Sequence, residues 1–240
     1  MKRFLQILCI GWVWAAMAEA SAEDPPPEAF AALMERRSPD YDYDPPAPGS
    51  YALPVIDTAA DGKVLSAEGK ATRLHELIGD RIVVLSFIYT RCADPKACLQ
   101  ATGVLAELQQ FSRSRADMAE EVLFVTLSFD PAFDTPEVMQ RYGRVLQERE
   151  GGSEWLFLTT RNSEELRPLL KAYGQRVDPR KGQSALGPYY HPLRVYLIDG
   201  EKQVRNIYSF GLLDPRLVAT DILTLLAESE GAAASAEDGR

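Results

Sequence analysis

The sequence predicts an α/β fold in which helices cover both faces of a central mixed sheet. Two runs, IVVLSFIY at residues 82–89 and VLFVTLSF at residues 122–129, are apolar almost throughout, which is typical of strands buried on both faces. A helical segment is predicted after each run, and residues 194–209 have the pattern of a hairpin. Strands that alternate with helices in a chain of 240 residues favour one layered α/β domain.

The first 22 residues are predicted to be an export signal that is not part of the fold. Two basic residues precede an apolar run at residues 4–17, and small-residue A-x-A triplets follow. The run is shorter than the roughly 20 residues that a spanning helix needs, so an uncleaved membrane anchor is the second interpretation. Cleavage would remove Cys9 and leave Cys92 and Cys98 as the cysteines of the mature chain.

The segments that flank the predicted domain are rich in proline or in small residues. Residues 23–50 contain Pro25–Pro27 and a second proline-rich stretch, which favours an extended tether with a short helix at residues 28–37. Residues 229–240 have no apolar period and are predicted to be a flexible tail. The domain is therefore expected to span residues 51–228.

The first predicted elements of the domain are short. Residues 51–56 are expected to form a strand, and Asp61 with Gly62 signals a turn. Residues 74–79 are predicted to form a helical turn that Gly79 ends.

The central elements carry the strongest patterns. After the strand at residues 82–89, apolar residues recur with helical spacing across residues 98–112. The second buried strand, at residues 122–129, precedes a helix at residues 135–147, where Pro136 occupies the first turn and its missing N–H costs nothing.

The remaining elements complete a recognisable order. They are an extended piece at residues 155–158, a helix at residues 164–173, strands at residues 194–199 and 204–209 joined by Gly200–Lys202, and a helix at residues 214–227. This order is that of a thioredoxin-like fold, a three-layer α/β/α sandwich around a central mixed sheet.

The charge balance limits the partners. The chain has 26 basic and 35 acidic residues, a formal net charge of −9. An acidic surface of this kind argues against nucleic acid and against anionic lipid as partners.

Two cysteines lie where an α/β sheet binds ligands. Cys92 and Cys98 stand between a buried strand and a helix, at the carboxyl edge where crevices form. A helix N-terminus, together with Arg91 and Lys96, favours thiolates there. The pair is predicted to act as nucleophiles or metal ligands. A structural disulfide is the alternative, and it would contribute on the order of 2 kcal/mol because the loop is short.

The chain has two histidines, and only one lies in a promising place. His75 falls in an amphipathic turn beside Glu76, where a solvated or hydrogen-bonded role is expected. His191 lies in a loop that leads into the strand at residues 194–199. Two thiolates with one imidazole suit copper, whereas structural zinc usually takes a fourth protein ligand. A loop histidine without a metal role remains the alternative.

Four segments resemble the Sco/SenC family of copper-binding, thioredoxin-fold assembly factors for cytochrome c oxidase. They are Thr90-Arg91-Cys92 after its strand, LSFDPAFDTPE at residues 127–137, WLFLT at residues 155–159, and His191 five residues before YLID at residues 196–199. The resemblance covers residues 51–228. It implies that Cys92, Cys98 and His191 are copper ligands and that Asp130 lies near the site as a carboxylate that does not itself bind the metal. An ordinary acidic residue at the start of a turn is the alternative role for Asp130.

Two features depart from the family pattern. The family spaces its cysteines C-x3-C with proline after the second, whereas this chain has C-x5-C followed by Leu99. The family also has Asp-His-Ser where this chain has Tyr190-His191-Pro192, and Pro192 removes an N–H after the histidine. Metal affinity and redox potential are therefore expected to differ from those of typical members.

The resemblance implies an exported copper-binding protein. It would deliver copper to, or prepare the thiols of, a respiratory or other periplasmic copper enzyme, by default the CuA site of cytochrome c oxidase. The expected partner is that client or another metallochaperone, with membrane contact only through an uncleaved N-terminal segment. The alternative is a thiol–disulfide oxidoreductase that uses Cys92 and Cys98 without stable copper, and a peroxiredoxin-like peroxidase is a weaker third option.

Overall fold

The structure is a computed structural model that describes residues 28–38, 40–147, 151–182 and 184–238, with only the backbone for residues 232–238. The predicted export signal at residues 1–22, Cys9, and the start of the predicted tether lie outside these residues. Among the described residues, no helix combines the length and apolar character that crossing a membrane requires.

The elements alternate in the predicted manner. In chain order they are α1 (Glu28–Met34), β1 (Asp57–Thr58), β2 (Lys63–Ser66), β3 (Ala71–Arg73), α2 (Leu74–Ile78), β4 (Ile82–Ile88), α3 (Cys98–Ser112), α4 (Ala116–Glu121), β5 (Val122–Ser128), α5 (Pro136–Gln147), β6 (Glu154–Thr159), α6 (Ser163–Ala172), β7 (Asp178–Pro179), β8 (Tyr189–Tyr190), β9 (Arg194–Ile198), β10 (Gln203–Ser209) and α7 (Pro215–Asp238).

Eight strands form one mixed sheet in the order β1-β10-β9-β4-β5-β6-β2-β3. β4, β5 and β6 run parallel, whereas β9 pairs with β4 in the antiparallel sense. Every residue of β4 and β5 is buried, as their apolar sequences predict. The predicted mixed α/β sheet is therefore confirmed.

Helices lie on both faces of this sheet. Ser86 and Phe87 are successive residues of β4 and so point to opposite faces. Ser86 lies 3.0 Å from the Thr126 hydroxyl, which also accepts a hydrogen bond from Trp155 Nε1, on the face that carries α3 and α5. Phe87 packs 5.3 Å from the ring of Tyr173, just after α6 on the other face. Three layers result.

The predicted strand at residues 51–56 is wrong. β1 comprises Asp57–Thr58, paired with β10, and the preceding residues are irregular. Pro54 has no N–H for a ladder, and the Leu53 carbonyl accepts instead from the Arg205 guanidinium. β2, β3, α4, β7 and β8 were absent from the sequence prediction, because two to six residues give little periodicity.

Two terminal segments differ from the sequence prediction. α7 does not end at Ala227 but remains helical to Asp238. Residues 40–51, which we call the strap, are packed against α7 and do not extend away from it. Arg216 of α7 is fully buried and donates to the carbonyls of Tyr41 and Tyr43 as well as to Asp214. A buried guanidinium needs such acceptors, and the strap supplies them.

Candidate metal centre

The topology brings two distant loops together at one edge of the sheet. β4 ends at Ile88 and is followed by the loop that contains Cys92, while Cys98 begins α3. β9 runs antiparallel to β4, with Ser86 opposite Val195, so the segment that enters β9 meets the segment that leaves β4. That entering segment contains His191.

The three side chains converge. Cys98 Sγ lies 3.4 Å from His191 Nε2, and one ligand atom each from Cys92, Cys98 and His191 lies within 4.8 Å of the others. Both cysteines are free thiols and buried, with exposures of 7 % and 1 %, whereas His191 is partly exposed. The structure therefore brings together the three residues that the sequence singled out.

A buried carboxylate fixes the start of the cysteine loop. Asp134 is fully buried and accepts a hydrogen bond from the Thr90 backbone N–H at 3.0 Å. It also accepts from the hydroxyls of Thr90 and Ser128. These bonds tie the end of β4 to the loop after β5, two residues before Cys92. Sequence reasoning quoted Asp134 within a motif but assigned it no role, because its contacts are formed across the sheet.

A short ribbon positions the histidine loop. β7 and β8 pair in the antiparallel sense, and His191 follows β8 directly. The histidine Nδ1 lies 3.3 Å from the Pro192 carbonyl oxygen. In the tautomer whose Nδ1–H donates to this carbonyl, the lone pair of Nε2 is free to bind a metal ion.

Aromatic rings surround the histidine. The His191 ring centroid lies 4.8 Å from that of Phe129 and 5.8 Å from that of Tyr89. Gly187 has φ +99°, and a Cβ there would lie 2.3 Å from Tyr89 Oη and 2.9 Å from the Arg91 carbonyl oxygen. Only glycine therefore lets this loop approach the cysteine loop so closely.

The two thiols are electrostatically unequal. The pKa of Cys92 is lowered to about 4 because the Cys98 thiol donates to it; burial opposes this effect, and His191 and the backbone N–H groups of Asp94 and Cys98 reinforce it. The pKa of Cys98 is raised by the neighbouring Cys92 and by burial. The metal-free site thus holds one thiolate and one thiol. The raised pKa of Cys98 runs against the expectation that the helix N-terminus favours thiolates at both cysteines.

Asp130 lies between the two loops rather than among the converging ligand atoms. It is buried, pairs with Arg91 Nη2 at 2.5 Å and accepts from Tyr189 Oη at 3.3 Å. Arg91 precedes Cys92, and Tyr189 belongs to the ribbon before His191. Through these two side chains, Asp130 connects the cysteine loop to the ribbon that precedes His191.

The other histidine has a structural environment. His75 Nε2 lies 3.0 Å from the Ala59 carbonyl oxygen, and the His75 backbone N–H donates to Asp61. The expected hydrogen-bonded role of His75 is confirmed.

The ligand set fits a soft metal ion. Zinc–sulfur bonds are about 2.3 Å, so sulfur ligands of an ion of that size lie at most about 4.6 Å apart. The three ligand atoms here lie within 4.8 Å of one another, so small side-chain movements would bring all of them onto one ion. No fourth His, Cys, Asp or Glu joins the group within the described part of the chain. Two sulfurs and one imidazole match the preferences of copper better than those of a closed zinc site.

Solved structures with the same fold include several Sco proteins. ScoI of Arabidopsis thaliana with copper bound is 17% identical and superposes with a TM-score of 0.60, covering 71% of this chain and 99% of that chain. A SCO1/SenC family lipoprotein from Bacillus anthracis is 24% identical with a TM-score of 0.60, covering 72% and 97%. BsSco, a member of the Sco family of cytochrome c oxidase assembly proteins, is 18% identical with a TM-score of 0.55, covering 73% and 98%. These likenesses confirm the predicted thioredoxin-like fold.

Comparison by sequence gives the family. No curated protein matches the chain. The sequence model of the SCO1/SenC family matches residues 57–227, which contain all three converging side chains and both loops that carry them. The chain belongs to the SCO1/SenC family.

Proposed function

We propose that this protein binds copper through Cys92, Cys98 and His191 and delivers it to an exported copper enzyme. The observation that carries the proposal is the convergence of these three ligand atoms within 4.8 Å in a chain of the SCO1/SenC family. The copper-bound ScoI structure of Arabidopsis thaliana supports the choice of metal. BsSco, from the family of cytochrome c oxidase assembly proteins, supports an oxidase subunit with a CuA site as the default client.

The residues would hold copper as cargo. Cys92 is already a thiolate, whereas Cys98 must lose a proton for both sulfurs to bind, so loading releases a proton at Cys98 Sγ. His191 supplies Nε2 while its Nδ1–H stays on the Pro192 carbonyl. Because the sulfurs are buried and the histidine is partly exposed, the cargo would leave on the His191 side.

Export and processing belong to the same proposal. The signal-like residues 1–22 would direct the chain out of the cytoplasm, and cleavage would leave Cys92 and Cys98 as its cysteines. Mass determination of the protein recovered from the periplasm would test this. A mass that includes residues 1–22 would favour a membrane anchor.

Copper loading of single variants tests the ligand set. We expect His191→Ala to lower copper affinity on the order of hundredfold and to abolish stable Cu(II) binding, while His75→Ala behaves as wild type. Strong thiolate-to-Cu(II) charge-transfer absorption should appear in the wild type and disappear with either Cys→Ser change. If His191→Ala binds both oxidation states as tightly as wild type, the proposed site is wrong.

The unequal thiols favour a second function, a thiol–disulfide oxidoreductase. The Cys92 thiolate would attack a client disulfide, forming a mixed disulfide and releasing one client thiolate, which takes a proton. Cys98 would lose its proton and attack the Cys92 sulfur, leaving a Cys92–Cys98 disulfide and a reduced client. In this function His191→Ala would change the exchange rate only as far as it raises the pKa of Cys92, whereas in copper delivery the same change abolishes stable Cu(II) binding.

A further inference from the structure

Exposed apolar side chains are concentrated around the candidate metal centre. Within the described residues, nine large apolar side chains are exposed. Three of them, Val55, Ile56 and Val145, lie elsewhere on the fold. The other six lie on segments that carry or adjoin the ligands, and we call them the apolar rim: Leu99, Phe133, Leu186, Tyr190, Phe210 and Leu212.

The rim is continuous with the ligand loops. Leu99 follows Cys98, and Tyr190 precedes His191. The Leu186 carbonyl accepts from Tyr89 Oη, and Leu186 lines a cleft of about 510 Å³ together with Tyr190 and His191. The rim therefore borders the open, histidine side of the site.

A basic side chain covers each aromatic ring of the rim. Arg91 Cζ lies 4.2 Å from the Phe133 ring centroid, Lys96 Nζ lies 5.2 Å from that of Phe210, and Arg180 Cζ lies 3.8 Å from that of Tyr190. These contacts stabilise the exposed rings and hold a positive charge beside each one.

The rim carries cations beside its aromatic rings although the whole chain is acidic. Arg91 is paired with the buried Asp130, but Lys96 and Arg180 have no carboxylate partner in the part of the chain that the structure describes. The carboxylates that share a cleft with Arg180 are Asp94 and Asp178, and Asp178 is paired with Arg176. Those that share a cleft with Lys96 are Asp40, Glu107 and Asp214, of which Glu107 is paired with Arg36 and Asp214 with Arg216. A protein with a net charge of −9 thus presents cations at this one apolar surface.

Apolar surface with a charged border is typical of a protein interaction site. A second copy of the chain docked through the same rim would place like charges against each other. An anionic membrane would be repelled by the acidic remainder of the surface. A partner that exchanges copper must reach His191, and the rim borders that residue.

We propose that the apolar rim and its cations dock the protein that exchanges copper with this site, and that this partner presents an apolar patch bordered by carboxylates. The proposal rests on the proposed function, since it takes the copper client as the occupant. It adds the chemistry by which the client is recognised.

The test is a binding titration in the absence of metal. The probe is the soluble copper-binding domain of cytochrome c oxidase from the same organism, and the dissociation constant is measured at low and at physiological salt. We expect Lys96→Glu with Arg180→Glu to raise Kd by about tenfold or more, and salt to weaken wild-type binding. The control, Lys63→Glu with Lys70→Glu, makes the same charge change on exposed residues of the β2–β3 hairpin and should change Kd less than twofold.

Milder substitutions at the same positions separate an effect on docking from an effect on folding. Lys96→Gln with Arg180→Gln should weaken binding less than the glutamate pair does, because it removes charge without reversing it. Phe210→Ala should raise Kd several-fold, whereas Ile56→Ala, an exposed apolar residue away from the rim, should not.

Several outcomes would overturn the docking proposal. They are the absence of wild-type binding, equal weakening by the control pair, binding that is insensitive to the rim variants, self-association through the rim, and preferential binding to vesicles of phosphatidylglycerol. None of these depends on copper, so they are distinct from failure of the proposed function, which would appear as wild-type protein that loads no copper.

Discussion

The protein buries polar groups in two regions, and the two are built differently. At the start of α7, Arg216 and the preceding Asp214 are buried and bonded at 2.8 Å, and two strap carbonyls also accept from the guanidinium. At the candidate metal centre, Cys98 Sγ and His191 Nε2 face each other at 3.4 Å, a weak contact that a metal ion can replace. The first region stabilises the fold because its charged groups are hydrogen-bonded to each other and to the strap. The second leaves the sulfur and nitrogen atoms of Cys98 and His191 available to bind and release a metal ion.

Removing the arginine of the α7 region should have the largest effect. Arg216→Met leaves Asp214 buried without its partner and releases the strap carbonyls, so the free energy of unfolding should fall by about 3–5 kcal/mol. Urea denaturation measures the loss. Copper affinity of the fraction that remains folded should stay within a few-fold of wild type. A large loss of affinity there would show that the two regions are not independent.

Cys98→Ser should lower copper affinity strongly while changing stability little, the opposite of what Arg216→Met is expected to do. A hydroxyl is a poor ligand for Cu(I), so affinity should fall on the order of hundredfold. The free energy of unfolding should change by only about 1 kcal/mol, because a serine hydroxyl can donate to the Cys92 thiolate as the Cys98 thiol does. Competition with a Cu(I) chelator measures the first quantity and urea denaturation the second. Destabilisation as large as that of Arg216→Met would contradict the comparison.

Asp134→Asn tests a buried carboxylate that stabilises the fold and also fixes the loop that carries Cys92. The amide cannot accept from all three donors of the carboxylate, so the unfolding free energy should fall by about 1–3 kcal/mol. Copper affinity should also fall, by about tenfold, because the Cys92 loop loses its fixed start. Unchanged affinity in a destabilised variant would restrict Asp134 to a structural role.

Gly187→Ala should give the smallest effect. Its Cβ would meet Tyr89 Oη and the Arg91 carbonyl, so the histidine loop must move away from the cysteines, and copper affinity should fall several-fold. Gly182→Ala is the matched control, since Gly182 also has positive φ (74°) but no atom within 4 Å of the added Cβ. Both should lose about 1 kcal/mol of stability to backbone strain, and only Gly187→Ala should affect the metal.

The sequence predicted the central sheet well because burial on both faces leaves an unmistakable apolar run. α3 begins at Cys98 and ends at Ser112 as predicted, and β4 and β5 end one residue earlier than predicted. Short edge strands were missed, and the strand at residues 51–56 was wrong because the Arg205 guanidinium takes a carbonyl that the pattern assigned to a ladder.

The sequence predicted which side chains form the candidate site, namely Cys92, Cys98 and His191. Cysteines after a buried strand and a histidine before another indicate a ligand set at one sheet edge. The roles of Asp134, Phe129 and Gly187 were not predictable, since each depends on a contact between loops that are distant in the chain. The difference between the pKa values of Cys92 and Cys98 also depends on which thiol donates a hydrogen bond to the other. The spacing of the cysteines in the sequence does not specify this.

The antiparallel pairing of β9 with β4 has a consequence for the order of assembly. Cys98 and His191 are 93 residues apart, so the histidine reaches the cysteines only after β9 has docked on a sheet that already includes β4. Closing so long a loop costs conformational entropy before the contact forms. The chain would therefore begin to fold without its third ligand. Copper would be retained only by molecules that have completed the sheet, and metal retention would report on the success of folding itself.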